Sequence, residues 1–118
     1  KMKSPPKIFH VNWFRVDEKG EFLWPGFGEN LRVLEWILQR CNNEVDAVET
    51  PIGYIPRIKD IDTTGLGIGE DVLEKLFSID KNEWQEELGR QQAFLKSIGQ
   101  SLPKELWQEY RALKRRIQ

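Results

Sequence analysis

The chain has 118 residues, of which 39% are hydrophobic and 31% charged, and its formal net charge is −1. That profile fits one small globular domain, or a piece of a larger one, and excludes a disordered polar chain. Acidic and basic residues interleave, so no long-range field draws the chain onto nucleic acid or an anionic membrane. The single cysteine, Cys41, closes no internal disulfide, and no CxxC or Cys/His cluster points to zinc. It reads as a small apolar residue at a helix end, compatible with a reducing compartment. No apolar run is long enough to span a bilayer, and no secretory signal pattern is present. The first residue is Lys rather than Met, as in a piece cut from a longer chain.

In chain order, Lys1 to Lys7, with Pro5-Pro6, reads as an extended lead-in. Residues 8–14 (IFHVNWF) then read as a strand. Period two places Phe9, Val11 and Trp13 on an apolar face and Ile8, His10, Asn12 and Phe14 on a mixed one. Asp17-Glu18-Lys19-Gly20 is a turn, and residues 21–24 return as the second arm of a hairpin. Pro25-Gly26 suits the central positions of a type II turn. An amphipathic helix follows, with Leu31, Leu34, Leu38 and Cys41 sharing a face, and Asn42-Asn43 end it. Residues 50–56 form a short extended piece bracketed by prolines. After a glycine-bearing loop at 65–69 comes a short helix carrying Val72, Leu73, Leu76 and Phe77. Asp80 heads a capping-box pattern, with Trp84, Leu88, Leu95 and Ile98 at helical spacing and Gly99 as the stop. Pro103 opens a last helix, with Leu106, Tyr110, Leu113 and Ile117 on one side and a basic end that complements the helix dipole. The expected architecture is α+β: a β-hairpin plus helix, then a helical C-terminal tail. Two strands alone are marginal in water, so either helices cover the hairpin or it belongs to a larger sheet.

The stretch 20–30, GEFLWPGFGEN, packs Phe22, Trp24 and Phe27 around a bend. Such rings serve either a core or a flat ligand, and core packing is the ordinary role. Phe27, however, sits between two glycines, which suits close approach to something else. Asn30 lies at the start of a helix, where its amide either caps the helix or reads the edge of a heterocycle. Phe14, on the mixed face of its strand, offers a second ring. Two rings around a base contribute about 1–3 kcal/mol per base with little regard to which base it is. Discrimination then falls to the polar edge.

These residues carry a resemblance. The run Ile8-Phe9-His10-Val11-Asn12-Trp13-Phe14-Arg15, followed by Phe22-Leu23-Trp24-Pro25-Gly26-Phe27-Gly28-Glu29-Asn30 and Arg32-Val33-Leu34-Glu35-Trp36, closely resembles the C-terminal part of GTP-dependent phosphoenolpyruvate carboxykinases. Thr50-Pro51-Ile52-Gly53-Tyr54-Ile55-Pro56 and Leu76-Phe77-Ser78-Ile79 resemble downstream segments of the same family. The likeness holds its register over nearly the whole chain and loosens in detail after Asp80. It implies a fragment of a larger α/β enzyme, with residues 1–79 as the guanine-binding part of the nucleotide-binding domain and 80–118 as its helical tail. The implied reaction is decarboxylating: oxaloacetate and GTP give phosphoenolpyruvate, GDP and carbon dioxide, a gluconeogenic lyase chemistry that uses Mn2+ and Mg2+. Carried over by motif, Phe14 and Phe27 would sandwich the base, Phe22 would form a further wall, Asn30 would bond the guanine edge and Trp13 would support the pocket. Phe27, Gly28, Glu29 and Asn30 would be the nucleotide-contacting turn.

The chain departs from a complete member of the family in lacking a GxxxxGK(S/T) phosphate loop. By the resemblance, the metal ligands, the substrate-binding arginine, the reactive cysteine and the mobile lid lie upstream. No catalytic or metal-binding residue is therefore assigned here. His10 and Cys41 read as a strand residue and a packing residue, and the segment alone is expected to be inactive. The implied partners are a guanine nucleotide and the remainder of the parent enzyme, itself expected to be a monomer of the cytoplasm or mitochondrial matrix. Apolar surface is expected where that remainder belongs. Two other readings stay open. One is a non-catalytic module that stacks single-stranded RNA or binds a protein partner, which the near-neutral charge disfavours. The other is a structural helical adaptor with every aromatic in its core, which requires Phe27 to be buried.

Overall fold

The computed structural model of the chain describes residues 3–118, so the start of the expected lead-in, Lys1 and Met2, lies outside them. The exposure of residues 8–14 alternates as period two requires. Phe9, Val11 and Trp13 are half-buried, while Ile8, His10, Asn12 and Phe14 face outward. They nevertheless form no strand, contrary to the expectation. Asn12 redirects the backbone, because its Oδ1 accepts from the Phe14 N–H at 3.0 Å in an Asx turn. Side chains hold the run in place of a ladder. Phe9 meets Trp36 edge to face at 6.1 Å, and Trp13 lies 6.2 Å from Trp24.

The turn at Asp17–Gly20 forms for the reason its composition suggests. Asp17 Oδ1 accepts from the N–H groups of Lys19 and Glu21 at 2.8 and 3.0 Å. The arms then meet through one antiparallel bridge, Val16 with Phe22, flanked by the Leu23 N–H donating to the Arg15 carbonyl at 2.9 Å. The true two-stranded hairpin stands later, where only an extended piece was expected. Its strands are β1 (Val48–Thr50) and β2 (Gly53–Ile55). Thr50 Oγ1 clasps the turn by donating to the Gly53 carbonyl at 2.6 Å.

The helices are α1 (Asn30–Cys41), α2 (Glu70–Phe77), α3 (Lys81–Ile98) and α4 (Lys104–Ile117), with short 3-10 turns at Phe27–Glu29, Ile58–Asp60 and Gly99–Ser101. The architecture is α+β, one small hairpin among helices. No helix among the described residues is long and apolar enough to cross a membrane. The chain divides into two compact units: the described residues up to Val48 with Ile55–Phe77, and Glu49–Tyr54 with Ser78–Gln118.

In the first unit the core centres on Trp24, Trp36 and Ile61, against which Phe9, Trp13, Val33, Ile37 and Phe77 pack. This corrects the expected face of α1. The helix carries two apolar stripes, and the one that turns inward is Val33, Trp36 and Ile37. Leu31, Leu34 and Leu38 remain 72%, 43% and 65% exposed, and Cys41 is exposed with them. Burial of an indole removes more apolar area from water than a leucine does, so Trp36 decides which way the helix faces. Its Nε1–H has no acceptor among the described residues.

In the second unit, α3 and α4 bury Leu88, Tyr110 and Ile117, with Ile52, Trp84, Leu95, Trp107 and Leu113 around them. Trp107 replaces Leu106 on the inner face of α4, and Leu106 stays exposed, as does Ile98 at the end of α3. Asp80 caps α3 as its pattern predicts, its carboxylate accepting from the N–H groups of Asn82 and Glu83 at 2.7 and 3.0 Å. Gly99 adopts φ 71° and stops the helix. Arg116 Nε donates to the Pro51 carbonyl at 2.7 Å, tying the last turn of α4 to the hairpin turn.

Candidate functional site

The residues singled out by sequence fall on the bend between the Val16–Phe22 bridge and α1. Pro25-Gly26 does not make the type II turn expected of it. Gly26 takes φ 126° and ψ −176°, whereas a type II turn asks for about +80° and about 0° there. This is a backbone region essentially reserved for glycine. The chain then coils tightly, the Glu29 N–H donating to the Gly26 carbonyl at 3.1 Å and the Asn30 N–H to the Phe27 carbonyl. Phe27 and Asn30 are thereby locked one 3-10 turn apart, at the mouth of α1.

The aromatic rings separate into two groups. Trp24 is a core residue, 6% exposed, stacked at a tilt against half-buried Trp13. Phe14, Phe22 and Phe27 face outward, 73%, 65% and 93% exposed. Phe14 and Phe22 meet edge to face with centroids 6.2 Å apart, a favoured aromatic geometry. Phe27 packs against no other ring among the described residues. A nearly bare benzyl group on a tight turn excludes the reading in which every aromatic belongs to the core. Gly28 next to it has an ordinary φ and an open space where a Cβ would stand. The chain itself does not need glycine at that position.

Polar groups around the turn are mostly committed to structure. Glu29 Oε2 pairs with Arg32 Nε at 2.8 Å. Arg32 also donates to the carbonyls of Asp62 and Thr64, each at 3.0 Å, fastening α1 to the loop before α2. Hydrogen bonds from Thr64, helped by the Arg32 charge, hold the Asp62 carboxyl below its ordinary value. Asn30 Oδ1 accepts from Trp24 Nε1 at 2.9 Å. Neither this bond nor the Arg32 clasp is legible in the sequence, because both partners of each come together only in three dimensions. His10 is exposed and Cys41 sits on the outer side of α1. Neither joins the turn. Concavities elsewhere, one of about 260 Å³ between α3 and α4 that includes Leu88, Tyr110 and Lys114, and one of about 370 Å³ around Ile58–Thr64, lack the convergence of aromatic faces with a polar edge that marks a base site.

Comparison with known proteins gives this geometry its context. Residues 1–116 match the family described as the phosphoenolpyruvate carboxykinase C-terminal P-loop domain. The chain is 47% identical over 115 residues to phosphoenolpyruvate carboxykinase (GTP) of Thermoplasma volcanium, covering 98% of this chain and 19% of that protein. It is 44% identical over 113 residues to the Corynebacterium jeikeium protein of the same name, covering 96% and 19%. To the mitochondrial form of Mus musculus it is 49% identical over 114 residues, covering 96% and 18%. The chain thus spans about a fifth of the length of these relatives. The match takes in the aromatic turn and reaches the last turn of α4. By that match the chain belongs to the phosphoenolpyruvate carboxykinase family, within its C-terminal domain.

Proposed function

We propose that this segment supplies the guanine-recognising surface of a GTP-dependent phosphoenolpyruvate carboxykinase, an enzyme that converts oxaloacetate and GTP to phosphoenolpyruvate, GDP and carbon dioxide. The observation that carries the reading is Phe27. Its ring is 93% exposed on a turn whose backbone only glycine at position 26 allows, and that same turn fixes Asn30 beside it. A phenyl ring held in water on a glycine-only bend supports a ligand-facing role for it.

In this reading the Phe27 ring covers one face of the base, and the Phe14–Phe22 pair supplies the aromatic surface for the other. Asn30 meets the base edge, and Trp13 and Trp24 back the turn from the core. The stacking contributes affinity and the amide contributes choice. Glu29 acts through its pairing with Arg32, keeping the turn closed on α1, and Gly28 leaves the space beside Phe27 open. The divalent cations of such phosphoryl transfer neutralise phosphate charge. In this reading the ligands of those ions come from the remainder of the enzyme. Catalysis belongs to the whole enzyme, and the segment by itself binds a base without turning it over.

The test is GDP affinity in the full-length enzyme with Phe27→Ala. Loss of one stacking face, about 1–3 kcal/mol, weakens GDP roughly tenfold or more while the affinity for oxaloacetate stays near that of the parent. Unchanged GDP affinity removes the aromatic turn from the nucleotide site.

A further inference from the structure

The bond between Trp24 and Asn30 bears on which base the site accepts. An asparagine amide is ambiguous in principle, since its oxygen accepts and its nitrogen donates and the two exchange places by a half-turn. The indole nitrogen is not ambiguous, because it only donates. The Asn30 atom 2.9 Å from Trp24 Nε1 is therefore the carbonyl oxygen. The amide nitrogen must point away from Trp24, and it donates to no acceptor among the described residues.

The orientation is also hard to reverse. Trp24 is 6% exposed, set in the core with Trp36 and Ile61, and leaned on by Trp13. It cannot swing aside to release the amide. If the amide did turn, its N–H groups would confront the indole N–H and a donor would be left buried without an acceptor. The backbone of Asn30 is fixed as well, through its N–H bond to the Phe27 carbonyl.

We propose that Trp24 is a positioning residue for base specificity: by holding Asn30 Oδ1, it obliges the amide to present a donor, and so selects purines with a keto oxygen at the facing edge over those with an amino group. This rests on the reading that the aromatic turn holds the base. A 6-keto purine meets the Asn30 Nδ2 with an acceptor, whereas the 6-amino group of adenine meets it donor against donor. The discriminating group is therefore selected from behind, by a tryptophan that touches no nucleotide.

Trp24→Phe keeps an aromatic core residue and deletes the N–H, freeing the amide to turn. In the full-length enzyme, the ratio of GDP to ADP affinity then falls about tenfold, through weaker GDP and stronger ADP binding. A residue that merely supports the fold would weaken both nucleotides alike, so a parallel loss, or an unchanged ratio, overturns the proposal. Asn30→Asp is the companion variant, and it serves if Trp24→Phe does not fold. Its carboxylate still accepts from Trp24 but faces the base with an acceptor, so the preference shifts toward ADP; a GDP preference equal to that of the parent overturns the proposal. Phe27→Ala separates the two levels. If it weakens GDP while Trp24→Phe leaves the ratio intact, the turn binds the base and the lock is wrong. If Phe27→Ala has no effect on GDP, the site reading itself fails.

Discussion

Arg32 shows how single side chains here join pieces that sequence keeps apart. Its side chain is three-quarters buried, and its guanidinium reaches Glu29, Asp62 and Thr64 at once, a use of the planar fork that lysine cannot copy. Arg32→Ala is expected to lower the unfolding free energy by about 1–2 kcal/mol, with Arg32→Lys recovering only part of it. Denaturant unfolding of the two variants measures this. Asp62 adds a pH dependence of known sign. Its carboxyl titrates below the ordinary value, so the charged form is favoured by folding. That contribution is complete above the usual carboxylate range and fades as pH falls through the lowered value. Because Asp62 is solvent-exposed, the effect is small. Its signature is that the acid limb of the stability curve flattens in Asp62→Asn.

At the scale of elements, helix ends were more legible than helix faces. Asp80 in front of α3 and Gly99 behind it both do what their residue types require, because capping and positive φ are local chemistry. Asp80→Ala should cost about 1 kcal/mol and speed amide exchange at Asn82 and Glu83 about fivefold, with little change in the middle of α3. Hydrogen exchange resolved by residue checks it. The faces were harder. In α1 the leucine stripe and the Val33–Trp36–Ile37 stripe both fit helical periodicity, and only the placement of Trp24 and Ile61 chooses between them. In α4 the same competition sets Trp107 inward and Leu106 outward. The run 8–14 kept its alternation but not its ladder, because strand pairing needs a neighbour and the Asx turn at Asn12 points the chain elsewhere.

For the molecule as a whole, Leu31, Leu34, Leu38 and Val48 leave exposed apolar surface on a chain that spans about a fifth of its relatives' length. Surface of this kind is unfavourable in water. The 118-residue chain in isolation is therefore expected to self-associate as its concentration rises, and Leu34→Gln with Leu38→Gln to suppress it. Sedimentation velocity across a concentration series tests both statements.

The amino-acid sequence by itself determined the local events: the Asp17–Gly20 turn, the cap at Asp80, the stop at Gly99, the helices and the family. Each depends on residues close in the chain, or on a motif long enough to be distinctive. Tertiary structure alone decided which stripe of α1 is buried, that the paired strands are 48–50 and 53–55, that Arg32 clasps the loop before α2, and which end of the Asn30 amide faces outward. Those outcomes turn on groups far apart or ambiguous in sequence, whose energies differ only once packing has brought a specific donor, acceptor or ring within reach.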